Sequence, residues 1–304
     1  MKWKNKKVLV TGSEGMIGKE LVILLKINLS TLLILFLLVD KNAIVTKKYL
    51  FNLGGQLSAA PIDLTYKEGV EMLFKTFKPD FIFHLVGIKG NPKMTKERPV
   101  DFMGPMLQFD TNMILAAQKY NVKKFLYTSS IAVENPESDK YPAWAKQTAE
   151  TLIQAMRIQY PKGTEYCIVR PANVYGRYDN LNTEYPMVVT KLIKEALANK
   201  KLVLDRKGSE QIRDFINAKD VAKGMIKAME EMPTEPVNLC SKYGASINAL
   251  GCIIAQELNI PIEYKDLNLV LGPDKKVMGN PYITPEVTLQ EGIKEILLHV
   301  KEKP

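Results

Sequence analysis

The sequence predicts an α/β fold, a doubly wound parallel sheet followed by a small C-terminal α/β region. Three observations predict it. The apolar run Val8-Leu9-Val10 ends in a glycine-rich turn, and Ile17, Leu21, Leu24 and Leu25 then share one face at helical period. Apolar runs alternate with helical stretches as far as residue 170, the pattern of βαβ units. Gly12, Asp40, Asp63, Gly87, Ser130 and Arg170 all fall at or near the ends of those runs, where open α/β sheets take their ligands.

The first turn reads Thr11-Gly12-Ser13-Glu14-Gly15-Met16-Ile17-Gly18. Its glycines permit a tight turn, a close approach of backbone N–H groups to a phosphate, and tight helix–strand packing. The helix that opens behind it presents unpaired N–H donors and a positive dipole end. Gly12, Glu14, Gly15, Met16, Ile17 and Gly18 are therefore candidate dinucleotide contacts. The second run, Leu32–Val39, ends in Asp40, 22 residues past Gly18. A carboxylate there accepts both ribose hydroxyls and repels a 2′-phosphate, which favours NAD; Lys41 beside it leaves NADP open. The fold expected is thus Rossmann-type.

Ile62-Asp63-Leu64 reads as a third strand with Asp63 near the adenine, and 66–77 as a helix. Phe81–Val86 is a fourth strand ending at Gly87, and 88–101 a long loop. A helix over 103–120, a strand Phe125–Ser129, a helix Pro142–Tyr160 and a strand Tyr166–Arg170 complete the alternation. Beyond 171 the pattern is less regular. Helices are expected over 186–198, 219–231 and 246–258, and strands at Lys201–Asp205, Ile212–Ile216 and Pro236–Leu239. Thr288-Leu289-Gln290-Glu291 is a capping box that starts a last helix ending near Val300. Two regions follow: 1–172, with returning segments near 212–240, for the dinucleotide, and 173–304 mainly for the substrate.

Composition narrows the function. The chain has 304 residues, 46% of them hydrophobic and 25% charged, as in globular proteins with a buried core. The net charge of +9 comes from scattered lysines without interleaved aromatics, so no nucleic-acid partner is expected, although a basic surface suits an anionic nucleotide. Cys167, Cys240 and Cys252 are odd in number and form no CxxC pair. They read as core residues rather than a disulfide framework or metal site, and fit a reducing cytoplasm. Lys26, Asn28, Ser30 and Thr31 interrupt the apolar stretch 21–39, so no membrane span is expected, and no cleavable signal is expected either.

Ser129-Ser130 closes a strand, and the next helix carries Lys146 with Tyr141 ahead of it. Such a trio can move a proton. The ammonium lowers the phenol pKa, the serine hydroxyl binds the substrate oxygen, and the phenolate takes a proton as hydride leaves.

These motifs resemble the extended short-chain dehydrogenases/reductases, the nucleotide-sugar epimerase/dehydratase group. The resemblance is carried by the glycine loop, Ile62-Asp63-Leu64, His84-Leu85-Val86-Gly87, Tyr127-Thr128-Ser129-Ser130, Lys146 with Glu150, Arg170–Gly176 and Arg213-Asp214-Phe215. Gly87–Asn91 and Tyr175–Asn180 are most similar to the GDP-fucose synthase branch. The resemblance implies a catalytic Ser130, with Ser129 as alternate, and a Lys146 that also holds the nicotinamide ribose. It implies cofactor contacts from Leu64, Leu85, Val86 and Gly87, with His84 acting through its strand's backbone rather than its imidazole. Asn173, Tyr178 and Arg213 are the implied substrate contacts, Arg213 through a diphosphate or nucleotide. His299 is expected at the surface of the last helix. A homodimer through the helices near 103–120 and 142–160 is implied as well, although Met106, Leu107, Met113 and Ile114 are equally explained as core.

Three departures stand out. The family tyrosine lies four residues before the lysine, where this chain has Pro142. Tyr141 is five ahead, about 140° round a continuous helix, unless Pro142 starts the helix and leaves Tyr141 at its cap. Tyr178 and Ile131 replace the histidine and cysteine of the GDP-fucose synthase pattern, and 265–287 is short. The expected activity is an NAD(P)-dependent nucleotide-sugar epimerase or dehydratase working through a transient 4-keto sugar. The alternatives are an NADPH-dependent reductase or epimerase-reductase of a 4-keto-6-deoxy nucleotide sugar, and a cofactor-binding protein with weakened catalysis.

Overall fold

The structure, a computed structural model, describes residues 3, 6–28, 33–39, 46–52, 55–57, 61–88, 92–138, 140–267 and 281–302. Asp40, Lys41, Gly90 and Asn91 lie outside them, as do residues 268–280 of the short stretch.

The chain opens with β1 (Lys7–Thr11), α1 (Met16–Asn28) and β2 (Leu33–Val39). Three strands follow, β3 (Thr46–Asn52), β4 (Gly55–Leu57) and β5 (Pro61–Ile62), then α2 (Lys67–Phe77) and β6 (Phe81–His84). Helices α3 (Pro92–Glu97) and α4 (Pro99–Lys119) lead to β7 (Lys124–Thr128). Two 3-10 turns, Ile131–Glu134 and Pro136–Ser138, precede α5 (Lys140–Gln159) and β8 (Glu165–Pro171). The rest comprises β9 (Asn173–Tyr175), α6 (Val188–Asn199), β10 (Leu202–Asp205), β11 (Ile212–Asn217), α7 (Ala218–Glu231), β12 (Val237–Leu239), β13 (Gly244–Ser246), α8 (Ile247–Leu258), β14 (Ile262–Lys265) and α9 (Leu289–Lys301).

The main sheet runs β12-β8-β7-β6-β1-β2-β3-β4. From β12 to β2 every pair is parallel. The chain order reverses between β1 and β6, which places the ligand crevice of such a sheet at their carboxyl ends. Strand alternation sends Leu9, Ile82, Phe125 and Tyr127 to one face, where α2, α4 and α5 cover them with Val70, Leu73, Met106, Met113 and Ile153. Val8, Val10, Phe83 and Leu126 go to the other face, under Leu21 and Leu25 of α1 and Val221 and Met225 of α7. Burying each such side chain stabilises the fold by about 1.5–3 kcal/mol. A third core joins α6, α8 and α9 to β10 and β11. The predicted capping box closes as expected, with Thr288 Oγ1 accepting from Glu291 N–H at 3.2 Å and Glu291 Oε2 accepting from Thr288 N–H at 2.9 Å.

The structure corrects four expectations. Beyond β2 the sheet is not parallel: β3 pairs antiparallel with β2, β4 and β5. Thr46, Tyr49 and Phe51 favour a strand, and Asn52 pairs with Gly55 in the antiparallel register. The third strand shrinks from 62–64 to Pro61–Ile62, a short edge segment in which proline has no N–H to donate. The long loop 88–101 instead carries α3 and the start of α4, with Pro92 and Pro99 each at a first helical position, where the missing N–H costs nothing. Cys252 is exposed, because it falls on the outward face of α8, whereas Cys167 and Cys240 are buried; all three are free thiols.

Candidate active site

The glycine loop folds as a cradle. Gly12 has φ +68°, and a Cβ there would stand 2.9 Å from the Val86 nitrogen. A Cβ on Gly18 would lie 2.2 Å from the Gly12 carbonyl oxygen, so only glycine lets α1 start this close to β1. Ser13 is buried beside it, and its Oγ has no hydrogen-bond partner among the described residues. A buried hydroxyl left over at a helix N-terminus, in a cradle that any side chain would fill, fits a dinucleotide pyrophosphate. Glu14 is exposed and pairs with Lys19 at 3.4 Å. Met16 opens α1, and Ile17 packs on the sheet core. Leu64 and Val86 are buried, and Gly87 is open to solvent. Asp63 uses Oδ1 to accept from Thr65 N–H at 2.9 Å and Thr65 Oγ1–H at 2.7 Å, closing the turn into α2.

A hydrogen-bonded chain runs from this loop into the protein. Thr11 Oγ1 accepts from Leu85 N–H and Val86 N–H, both at 3.1 Å. Thr11 Oγ1 is 2.9 Å from His84 Nδ1, and His84 Nε2 is 2.9 Å from Asp110 Oδ1. Tyr127 O–H donates to Asp110 Oδ2 at 2.6 Å, and Lys146 Nζ lies 3.8 Å from the same oxygen and 4.7 Å above the Tyr127 ring. The His84 imidazole is fully buried and held from both sides, a place in the packing that the sequence did not show.

The electrostatics follow from depth. Burial pushes the His84 pKa down, outweighing the attraction of Asp110, so the ring is neutral. Burial also opposes the Asp110 charge, but Lys146 and the His84 and Tyr127 donors hold its carboxyl below the usual range. Burial and then Asp110 push the Tyr127 phenol far up, so it stays a donor. Lys146 is brought down by burial despite Asp110 and Glu150.

Of the predicted trio, Ser129 and Ser130 directly follow β7, which ends at Thr128, one residue short of the expected strand end. Ser130 caps the 3-10 turn, its Oγ accepting from Ala132 N–H at 3.2 Å. Ser129 is buried, and its Oγ lacks a partner among the described residues. Tyr141 departs from expectation. Helix α5 begins at Lys140, so Tyr141 is inside the first turn rather than at the cap, and its ring packs edge-on against Trp144 at 6.4 Å. Proline tolerates any position of a first helical turn, which lets the helix begin ahead of Pro142. One turn beyond Lys146, Glu150 holds Arg170 through two hydrogen bonds of 3.0 and 2.6 Å.

Among the substrate candidates, Asn173 donates to the Asp214 carbonyl at 3.0 Å. Arg213 donates to the Ile212 carbonyl and to Gln211 Oε1, both at 2.9 Å. Tyr178 is packed at α1 and α9: its ring faces Lys19 at 5.5 Å, the Arg177 guanidinium at 4.8 Å and His299 edge-on at 5.3 Å. His299 is accordingly half-buried rather than a plain surface residue. Arg177 itself bridges Glu20 at 2.9 Å and Glu295 at 3.1 Å.

Sequence reasoning missed Asp110 and Tyr127. One signal was available: Asp110 is an acid on the apolar stripe Met106, Phe109, Met113, Ile114 and Ala117 of α4.

A doubly wound sheet with a glycine cradle at its switch point and a sheltered lysine on the next layer defines a dinucleotide-dependent α/β enzyme. The chain belongs to the NAD dependent epimerase/dehydratase family, whose sequence profile matches residues 8–240. It is an NAD(P)-dependent enzyme of the extended short-chain dehydrogenase/reductase type. GDP-L-fucose synthase 1 of Arabidopsis thaliana is 26% identical over 321 residues, covering 96% of this chain and 92% of that protein. UDP-glucose 4-epimerase of Thermus thermophilus, solved with NAD, superposes with a TM-score of 0.76 at 22% identity, over 98% of this chain and 100% of that one. A GDP-mannoheptose C4 reductase of Campylobacter jejuni, solved with NADP, gives 0.77 at 17%, over 99% of each chain. No helix among the described residues is long and apolar enough to cross a membrane.

Proposed function

We propose that the protein is a nucleotide-sugar epimerase or dehydratase acting at a sugar carbon that passes through the ketone. The observation that carries this reading is Lys146: its side chain is only 12% exposed, and it is joined by hydrogen bonds and an ion pair to the glycine loop. The glycine cradle and Ser13 would hold the dinucleotide, which when bound supplies the hydride acceptor and donor. Lys146 holds a positive charge where a sugar hydroxyl must lose its proton. Ser130 is the serine proposed to bind the reacting oxygen: it is half-buried, and its Oγ, which accepts from Ala132 N–H, keeps its own hydrogen to donate, whereas Ser129 Oγ is fully buried. Tyr141 is the nearest phenol in sequence and the proposed acid/base. Asn173 and Arg213, in the C-terminal region, are proposed to take the diphosphate and nucleotide, as the names of the relatives suggest.

A homodimer through α4 and α5 is part of this proposal. Met106, Met113 and Ile114 are core residues. A shallow groove of about 620 Å³ lies on the outer face, however, lined by Met103, Trp144, Gln147, Thr151 and Leu152. A cytoplasmic setting is proposed from the three free thiols.

One observation favours a second reading, a dinucleotide-binding protein with weakened catalysis: the helix start at Lys140 turns Tyr141 away from Lys146 by about 140°. The test is dinucleotide titration followed by a panel of UDP-, GDP-, CDP- and dTDP-sugars and their 4-keto-6-deoxy forms, with products read by mass spectrometry and NMR. Under the first reading Lys146→Met and Tyr141→Phe each lower turnover by about 100-fold or more. Under the second, no sugar is converted although NAD(H) binds. Failure to take up either dinucleotide sinks both.

A further inference from the structure

Asp110 is out of place on its helix. Its neighbours on the α4 stripe are core residues, and its own side chain is 2% exposed. A carboxylate at that depth survives only when its oxygens are fully partnered. Asp110 Oδ1 has His84 Nε2, and Oδ2 has the Tyr127 hydroxyl and the Lys146 ammonium. The protons are then fixed in order. A carboxylate only accepts, so Nε2 carries the imidazole hydrogen. Nδ1 therefore accepts from the Thr11 hydroxyl, whose oxygen accepts from Leu85 and Val86 N–H. The neutral donors of this chain, the Tyr127 hydroxyl, His84 Nε2–H and the Thr11 hydroxyl, each have an acceptor, and the only formal charges are those of Asp110 and Lys146, 3.8 Å apart.

We infer that Asp110 is a positioning residue for Lys146: its carboxylate, clamped by His84 and Tyr127, anchors the lysine ammonium and ties it to the glycine loop. The inference rests on the proposed role of Lys146. The ammonium is faced by Asp110 from α4, by the Tyr127 ring from β7, by His84 from β6 and by Glu150 one turn along α5. Burial works against its charge, and Asp110 and then Glu150 oppose that effect. Without the Asp110 charge only Glu150 remains to do so, and Lys146 gives up its proton at lower pH.

The experiment needs no sugar substrate. The intact protein is trace-acetylated with acetic anhydride across the neutral to alkaline range, and labelling at Lys146 is read by peptide mass spectrometry. The midpoint of that curve reports the lysine's proton affinity independently of its accessibility. Asp110→Asn is expected to lower the midpoint by about one pH unit, so that Lys146 labels about 10-fold faster below it. An unchanged midpoint, with dinucleotide uptake and circular dichroism preserved, overturns the inference. If Asp110→Asn does not fold, Tyr127→Phe serves, because it removes one donor and leaves the carboxylate charged. Its midpoint is expected to stay or rise, and a fall overturns the inference. A protein inactive toward every sugar leaves this readout intact, so failure of the activity is distinguishable from failure of the Asp110 anchor.

Discussion

Two polar clusters cross the molecule at different depths. The Thr11–His84–Asp110–Tyr127–Lys146 chain lies inside the main sheet and its α4–α5 layer, with most members neutral and each bond directional. The Arg177 cluster joins α1 to α9 nearer the surface, where Arg177 pairs with Glu20 and shares Glu295 with Lys219. Arg177 is 25% exposed and Glu295 24%, against 0% and 2% for His84 and Asp110. The deep cluster holds one pair of opposite charges shielded from solvent; the shallow one holds more and lets solvent screen some of them. A charge that must act on a bound molecule benefits from the first arrangement, and a charge that fastens helices works in the second.

Breaking the deep cluster should cost most. Asp110→Ala leaves the Lys146 ammonium, the His84 N–H and the Tyr127 hydroxyl without their acceptor, and is expected to lose about 3–5 kcal/mol in urea unfolding. Arg177→Ala should lose less, about 2 kcal/mol, chiefly because it strips the buried Glu20 carboxylate of two guanidinium hydrogen bonds. Part of that loss should vanish in about 1 M salt, where the screening length falls to about 3 Å. The same salt should leave the Asp110→Ala loss almost unchanged.

The smallest effect sharpens the contrast through pH. Burial depresses the His84 pKa from its ordinary value of 6.5, so below that value the unfolded chain binds a proton that the folded chain refuses. Stability therefore falls as pH drops below 6.5, by up to about 1.4 kcal/mol per unit, until the folded-state pKa is reached. Above 6.5 the group contributes no slope. His84→Asn should flatten that segment in pH-dependent unfolding. Asp110, whose pKa is depressed below 3.8, acts only in a lower window, where stability is lost as its carboxylate is protonated.

What was legible in the sequence tracks how local the cause is. Glycines 12, 15 and 18, the capping box at Thr288 and the apolar periods each act within a few residues, and the structure forms the corresponding turn, cap and strands. The antiparallel β3–β5 edge was not legible, because strand partners are chosen across the sheet and not along the chain. The site divides in the same way. Lys146 announced itself by motif, but Asp110 reaches it only because α4 packs against α5, a contact between residues 36 positions apart. Tyr141 was readable as displaced. Where its helix starts depended on Lys140 and the 3-10 turns before it, which no spacing rule contains.

One topological feature has a mechanical outcome. After β8 the chain departs to build β9 and β11, then comes back through α7, which lies on the β1 face, and reinserts β12 beside β8. The two halves are thus stitched twice. The C-terminal half cannot melt without stripping an edge strand and a covering helix from the main sheet, so heating should give one transition rather than two, and a dinucleotide gripped at one end should slow hydrogen exchange in helices at the far end.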